Sequence, residues 1–283
     1  MPSARRSLKI YSRLLKRRSY RRRVMITLLA FFGGTASVGQ LILWILGVSG
    51  GVALTYSLVI LIPIGTIFAL VVSRPSTDTS FRHTGVGSSL RICVGDLFDT
   101  TADTIVVTMN RNFDTSRELV SSQSLVAQLL RTSFENETAI NTAIKSQTKG
   151  LPDEPQETGH IVQVSWPDAT YLLLAVVNRN EETSSSVTVD EVWTALSHLW
   201  QFARKHNIPR MRVPIIGAGY ARAHVGRAPL LILLITSYLT SAMELSTCDL
   251  DIVIHPVDAD PDLLELSKHY CEMFGYKITD SKA

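Results

Sequence analysis

The hydrophobic pattern changes character sharply along this chain. From Val24 to Ser73 every position is apolar, small or uncharged, with no Asp, Glu, Lys, Arg or His. Ser49-Gly50-Gly51 divides the run into two segments, about 24–48 and 52–73. Each has roughly the 20 apolar residues needed to cross a hydrocarbon core about 30 Å thick. The pattern predicts a two-helix transmembrane hairpin. Gly33 and Ser37, and then Gly65 and Ala69, stand at small-xxx-small spacing, which lets helix backbones approach closely. Gln40 needs a partner in lipid, and Pro63 interrupts the hydrogen-bond ladder. Packing of the two spans on each other accounts for these residues. Assembly of several hairpins into a pore accounts for them too, the simpler packing being preferred.

Residues 74–88 are polar and read as a linker. Beyond them short β-branched runs alternate with helical patterns. Leu90–Val94, Thr104–Met109, His160–Val164, Tyr171–Val177, Met211–Ile216 and Leu250–His255 have strand character. Trp166-Pro167-Asp168 reads as a turn. Glu118–Phe134, Thr138–Lys145 and Pro229–Met243 read as helices, the last too short for a third span and placed against the sheet. Thr188-Val189-Asp190-Glu191 matches a capping box opening a helix with the stripe Val192, Leu196, Leu199, Trp200 and Ala203. Asp260-Pro261 starts a last helix that ends near Gly275. This alternation predicts an α/β domain of three layers over residues 89–283, with a mixed, mostly parallel sheet.

Charge changes the picture at one end. Residues 1–23 carry ten of the 28 Lys+Arg and no acid, so the remainder holds 18 basic against 25 acidic residues, a net charge of −7. A basic arm on an acidic body argues against nucleic acid as a partner. It suits the positive-inside rule and attraction to anionic membrane lipids. The arm reads either as an amphipathic surface helix or as an unstructured segment. Two spans return the chain to its starting side, so both termini are expected in the cytoplasm. Cys93, Cys248 and Cys271 are far apart, form no Cys-x-x-Cys pair, and read as buried reduced thiols; no metal is expected.

Candidate chemistry lies at two strand ends. Cys93-Val94-Gly95-Asp96-Leu97-Phe98-Asp99 precedes the strand that ends in Asn110. Val213-Pro214-Ile215-Ile216 runs into Gly217-Ala218-Gly219-Tyr220. In an open α/β sheet ligands bind beyond the carboxyl ends of the strands. A Gly-x-Gly loop offers backbone N–H groups to a phosphate, and the Asp96 carboxylate can accept from an adenine amino group. Each motif also has a plain reading, Gly95-Asp96 as a turn and Gly217–Gly219 as a strand-to-helix connection. Neither a Ser-His-Asp arrangement nor a carboxylate pair demands acid–base work, so no catalytic residue is assigned and an enzyme is not expected.

Taken in order and spacing over about Leu90–Tyr276, these motifs resemble the macro domain, a module that binds ADP-ribose and its relatives. The resemblance implies that Asp96 accepts from adenine with Leu97 as its backbone neighbour, that Asn110 faces a ribose, and that Gly217, Ala218, Gly219 and Tyr220 hold the diphosphate. Phe113, Asp114, Ser124 and Arg222 complete the candidate ligand-binding set, Phe113 reading equally well as a core residue and Arg222 as part of an exposed polar face. Where macro-domain hydrolases have a glycine-rich catalytic loop, this chain has Asn110-Arg111-Asn112-Phe113-Asp114-Thr115-Ser116 and then Ser121-Ser122-Gln123-Ser124. Together with the two spans, these motifs resemble the membrane-bound macro-domain effector of type II Thoeris anti-phage defence. That resemblance implies a TIR-domain partner that makes an ADP-ribose-derived signal, histidine-conjugated ADP-ribose. It further implies a homo-oligomeric effector and membrane disruption that halts phage growth. The alternatives are a membrane-anchored hydrolase and a non-catalytic ADP-ribose reader.

Overall fold

The computed structural model describes residues 24–30, 64–68, 78–83, 88–98, 104–115, 124–132, 137–152, 154–167, 169–177, 187–219, 223, 225–242 and 248–279. The chain divides into two compact units, Met1–Ser76 with Asp260–Leu264, and Thr77–Ala259 with Glu265–Ala283. In the first, residues 24–30 and 64–68 are helical and expose Met25, Ile26, Leu29, Ile67 and Phe68. Most of the expected hairpin, the basic arm 1–23 and residues 74–77 lie outside the described residues. Among those described, no helix is long and apolar enough to cross a membrane.

The second unit is built on strands whose aliphatic residues suit burial on both faces. In chain order its elements are β1 (Asp78–His83), β2 (Ser89–Val94), β3 (Thr104–Asn110), α1 (Leu125–Thr132) and α2 (Glu137–Thr148). There follow β4 (Ile161–Trp166), β5 (Ala169–Val177), α3 (Val189–Lys205), β6 (Arg210–Pro214), α4 (Arg227–Ala242), β7 (Asp249–Ile254), α5 (Pro261–Met273) and β8 (Tyr276–Thr279). The eight strands form one sheet in the order β4-β5-β3-β6-β7-β2-β1-β8. From β5 to β2 all neighbours are parallel; β4, β1 and β8 pair antiparallel. The sheet is thus mixed and mostly parallel, as expected, and the carboxyl ends of β2, β3, β6 and β7 share one edge.

Helices lie on both faces. On one, Leu129 of α1 and Ile140 and Ile144 of α2 pack with Ile105, Val107 and Met109 of β3 and Leu173 of β5, all essentially buried. Each such side chain contributes about 1.5–3 kcal/mol by leaving water. On the other face, the Trp200 ring of α3 meets Tyr238 of α4 edge-on at 5.6 Å. Its indole N–H donates to Ser237 Oγ (3.1 Å), and the Tyr238 hydroxyl donates to the Cys248 carbonyl (2.8 Å). The Thr236 and Tyr270 hydroxyls share a 2.8 Å hydrogen bond, which joins α4 to α5. The capping box forms as expected: Glu191 N–H donates to Thr188 Oγ1 (3.2 Å), and Thr188 N–H donates to Glu191 Oε2 (2.7 Å).

The structure differs from the sequence expectation in several places. Strand β1 falls inside the stretch that reads as a linker. Of Asp78-Thr79-Ser80-Phe81-Arg82-His83 only Phe81 is apolar, and it is fully buried, so period-2 alternation has a single point to register on. The edge strand β8 is likewise too short and polar to stand out. Trp166, expected in a turn, ends β4. Helix α1 begins at Leu125, not at Glu118, because Ser124 caps it; residues 116–123 lie outside the described set. All three cysteines are buried and free.

Candidate functional site

The edge formed by the carboxyl ends of β2, β3, β6 and β7 carries the residues that the motifs singled out. After β2 the ladder extends one step, Gly95 N–H donating to the Ile254 carbonyl (3.0 Å). The chain then turns, and Asp96 Oδ1 accepts from Phe98 N–H (3.1 Å). This is the Asx geometry expected of a plain turn, and it leaves Oδ2 of a half-buried carboxylate without a partner among the described residues. Leu97 is buried, and its carbonyl accepts from Arg212 Nη1 (3.2 Å).

The loop after β6 is a second tight turn. Ala218 N–H donates to the Ile215 carbonyl (3.2 Å) and Ala223 N–H to the Gly217 carbonyl (3.1 Å). Gly217 has φ +81°, and a Cβ there would come within 3.2 Å of Val192 on α3. Glycine is therefore demanded by the fold at that position. Gly95 and Gly219 differ. Neither has a positive φ, and a Cβ on either would meet nothing within 4 Å among the described residues. The Ala218 N–H is used inside the turn, whereas those of Gly217 and Gly219 face no partner among the described residues. Tyr220 and Arg222 lie outside the described set.

Asn110 ends β3 at a register shift against β5, between Met109 and Asn110. Its carbonyl accepts from Phe113 N–H (3.0 Å) and its side-chain Oδ1 from Asp114 N–H (2.8 Å). The side chain expected to meet a ribose thus also organises its own loop. Phe113, for which a ligand contact and a core place were both open, takes the core place. It is 4% exposed, adopts φ 51°, and meets the His160 ring edge-on at 5.9 Å, so its ring belongs to the core. A non-glycine residue in that region is uncommon, and Asn110 holds it there with bonds on either side. Ser124 also has a structural task, its Oγ accepting from Ala127 N–H (3.1 Å) at the start of α1. Asp114 is half-buried beside the Asn110 loop.

The sequence reading passed over the charged group beneath the first turn. Arg212 in β6 and Asp251 in β7 are 4% and 3% exposed. Asp251 Oδ2 lies 2.8 Å from Arg210 Nη2, 3.6 Å from Arg212 Nε and 3.9 Å from Arg91 Nη1. Arg91 Nε in turn donates to Asp78 Oδ1 (2.8 Å). The register Arg91↔Asp251↔Arg212 puts the three in one row across β2, β7 and β6. The signal was present: a lone Arg in Met211–Val213 and a lone Asp in Leu250–Ile254, each inside an apolar strand, require each other.

No group of His, Cys, Asp and Glu that can hold a metal occurs among the described residues. Burial pushes the Cys93 thiol up to about 11, against the opposing pull of Arg212 and Arg91, and so keeps it protonated. Burial does the same to Cys248 and Cys271, each pushed up to about 12. None of them has the activated character of a nucleophile.

Among solved structures, the Oceanobacillus iheyensis macrodomain with MES bound is similar in fold, with TM-score 0.52 and 12% identity over 70% of this chain and 97% of that one. The same macrodomain with ADP gives TM-score 0.51 and 13% identity over 70% and 98%. No curated protein matches the sequence. The family described as "Thoeris protein ThsA, Macro domain" matches residues 90–255, from the second residue of β2 to just past β7. That match takes in more than half of the chain and both strand-end loops, and the chain belongs to this Thoeris macro-domain family.

Proposed function

We propose that this chain is the nucleotide-sensing, membrane-held effector of a Thoeris system. The ligand is an ADP-ribose derivative lying across the strand-end edge, its adenine at Asp96 and its diphosphate on the N–H groups of the Gly217–Tyr220 loop. The observation that carries this reading is the pair of open glycines. Gly95 and Gly219 lack side chains where neither backbone conformation nor a neighbouring atom among the described residues calls for glycine. A ligand that approaches the backbone closely supplies the missing reason. Membership of the family and the similar fold of a macrodomain solved with ADP support the same ligand class. Asn110 faces the ribose beyond the diphosphate, with Asp114 beside it.

The reading extends to the signal and the response. A TIR-domain partner makes histidine-conjugated ADP-ribose, the domain binds it, and an oligomer of hairpins disrupts the membrane in which the chain is held. The outward-facing Met25, Ile26, Leu29, Ile67 and Phe68 suit contact with lipid. Moving a two-state assembly from 1:99 to 99:1 takes about 5.5 kcal/mol of differential affinity, which several subunits can share. Binding rather than turnover is the task, since the Asn110 Oδ1 is spent on its own loop and the thiols are held protonated.

The test is calorimetry of the full chain with ADP-ribose, NAD and histidine-conjugated ADP-ribose, with Asp96→Ala beside it. Tight binding of one ligand, weakened by about tenfold or more but still measurable in the substituted chain, is expected. Binding of none overturns the reading, and turnover of the ligand makes the protein an enzyme. Dye entry into cells given the signal tests the membrane arm.

A further inference from the structure

Arg212 occupies a position where an aliphatic side chain would be cheaper. Its strand is buried from Met211 onward, and the same face carries Cys93, Leu97, Ile105 and Val253 in the apolar cluster. Taking a guanidinium out of water costs several kcal/mol even when it is paired. Its pairing is also incomplete. Nε stands 3.6 Å from Asp251 Oδ2 and makes no hydrogen bond, and Nη1 donates to a single carbonyl, that of Leu97, at 3.2 Å. Asp251 has a nearer cation in Arg210, at 2.8 Å, so neutralising Asp251 does not require Arg212.

Of the three arginines around Asp251, Arg212 is the one that hydrogen-bonds the turn. Strand β6 is two strands away from β2 in the sheet, and Arg212 Nη1 meets the carbonyl of Leu97 in the segment that leaves β2. Among the described residues Gly95–Phe98 makes three hydrogen bonds, Gly95 N–H to the Ile254 carbonyl, Phe98 N–H to Asp96 Oδ1, and Arg212 Nη1 to the Leu97 carbonyl, beside the burial of the Leu97 side chain and the Phe98 ring 6.5 Å from that of Tyr171. The first fixes where the turn begins. The second is internal and moves with it. Of these hydrogen bonds only the third ties the Leu97–Phe98 peptide to the rigid sheet, and a charge-assisted bond in a dry site is the strongest available to it.

We infer that Arg212 is a positioning residue for base recognition: through the Leu97 carbonyl it holds the turn in the orientation that presents the Asp96 carboxylate to adenine. Asp251 keeps the guanidinium aimed. The inference rests on the proposal that Asp96 meets adenine. Arg212 touches no ligand, and its whole effect on affinity runs through Asp96.

A double-mutant cycle on the full chain, read by calorimetry with ADP-ribose, tests this. Arg212→Met is expected to weaken binding by about tenfold or more, the scale of a lost hydrogen bond to a charged group. In an Asp96→Ala background the same change is expected to weaken it by less than about twofold. Equal fold-losses in both backgrounds overturn the inference, since a merely structural role multiplies through. So does an Arg212→Met protein that binds like the parent. If Asp96→Ala itself leaves affinity unchanged, the adenine assignment fails and the inference with it, a result distinct from the other two. Should Arg212→Met not fold, Arg212→Lys is read in the same cycle. It keeps a cation beside Asp251 but lacks the second arm to the Leu97 carbonyl.

Discussion

One face of the sheet is built in two ways. Over β3 and β5, Ile105, Val107, Met109 and Leu173 close against Leu129, Ile140 and Ile144, with every one of these side chains out of water. Over β2, β7 and β6, the same face carries Arg91, Asp251, Arg212 and Arg210. The apolar half follows the shortest route to stability, dense packing with no polar atom to satisfy. The charged half forgoes some of that in return for directional bonds, and one of them, from Arg212 to the Leu97 carbonyl, ends on the loop that carries Asp96. The first half holds the fold together, and the second aims the site.

Four changes test that division, the substitutions taken in decreasing order of expected effect and the pH effect ranked by its size per pH unit for one thiol. Asp251→Ala leaves Arg212 buried without its anion, and a stability loss of about 3–5 kcal/mol is expected. Urea denaturation reads it, and ADP-ribose affinity should fall as well. Leu129→Ala opens a cavity in the apolar half at a cost of about 2–4 kcal/mol. Ligand affinity of the protein that remains folded should not move; a matching loss of affinity would erase the contrast between the halves.

Alkaline pH is the third. The folded-state values of the three thiols lie above the ordinary thiol value, so the unfolded chain releases its protons first as pH rises. Their contribution is therefore constant below about pH 8.5 and declines above it. The decline is about 1.4 kcal/mol per pH unit for each thiol until its folded value is reached. For Cys93, in the charged half, that point is about 11, and for Cys248 and Cys271 about 12. Cys93→Ala should flatten the stability profile between pH 9 and 11, and an unchanged slope would remove the thiol from the account. The smallest effect is on the opposite face of the sheet. Thr188→Ala removes the α3 cap for about 1 kcal/mol, with thermal unfolding shifted down and affinity untouched.

The apolar half was legible in the sequence, because Thr104–Met109 and Tyr171–Val177 are apolar or β-branched throughout and a buried strand suits them. The α3 cap was legible because its two residues lie three apart. Both loops could be placed from glycine and aspartate at strand ends. The charged half was not, since its partners are distant in sequence and meet only through parallel register. Strand β1 was hidden for the same reason: Asp78 reads as linker polarity until Arg91 is set beside it. For Phe113 the motif left a ligand contact and a core place equally open, and for Ser124 it offered only the former. The tasks the structure adds, filling the core from a left-handed backbone position and capping α1, depend on neighbours that the motif does not contain.

The pairing of β1 with β8 has a consequence for how the protein is made. Ser80 sits opposite Thr279, so the strand that opens the domain stays half-zipped until a segment some two hundred codons downstream has emerged. At about 5–20 residues per second that interval is roughly 10–40 s. Throughout it the nascent chain exposes a bare strand margin, with Phe81 not yet enclosed. Premature termination anywhere before Tyr276 would leave that margin open for good, a template on which neighbouring unfinished copies can stick.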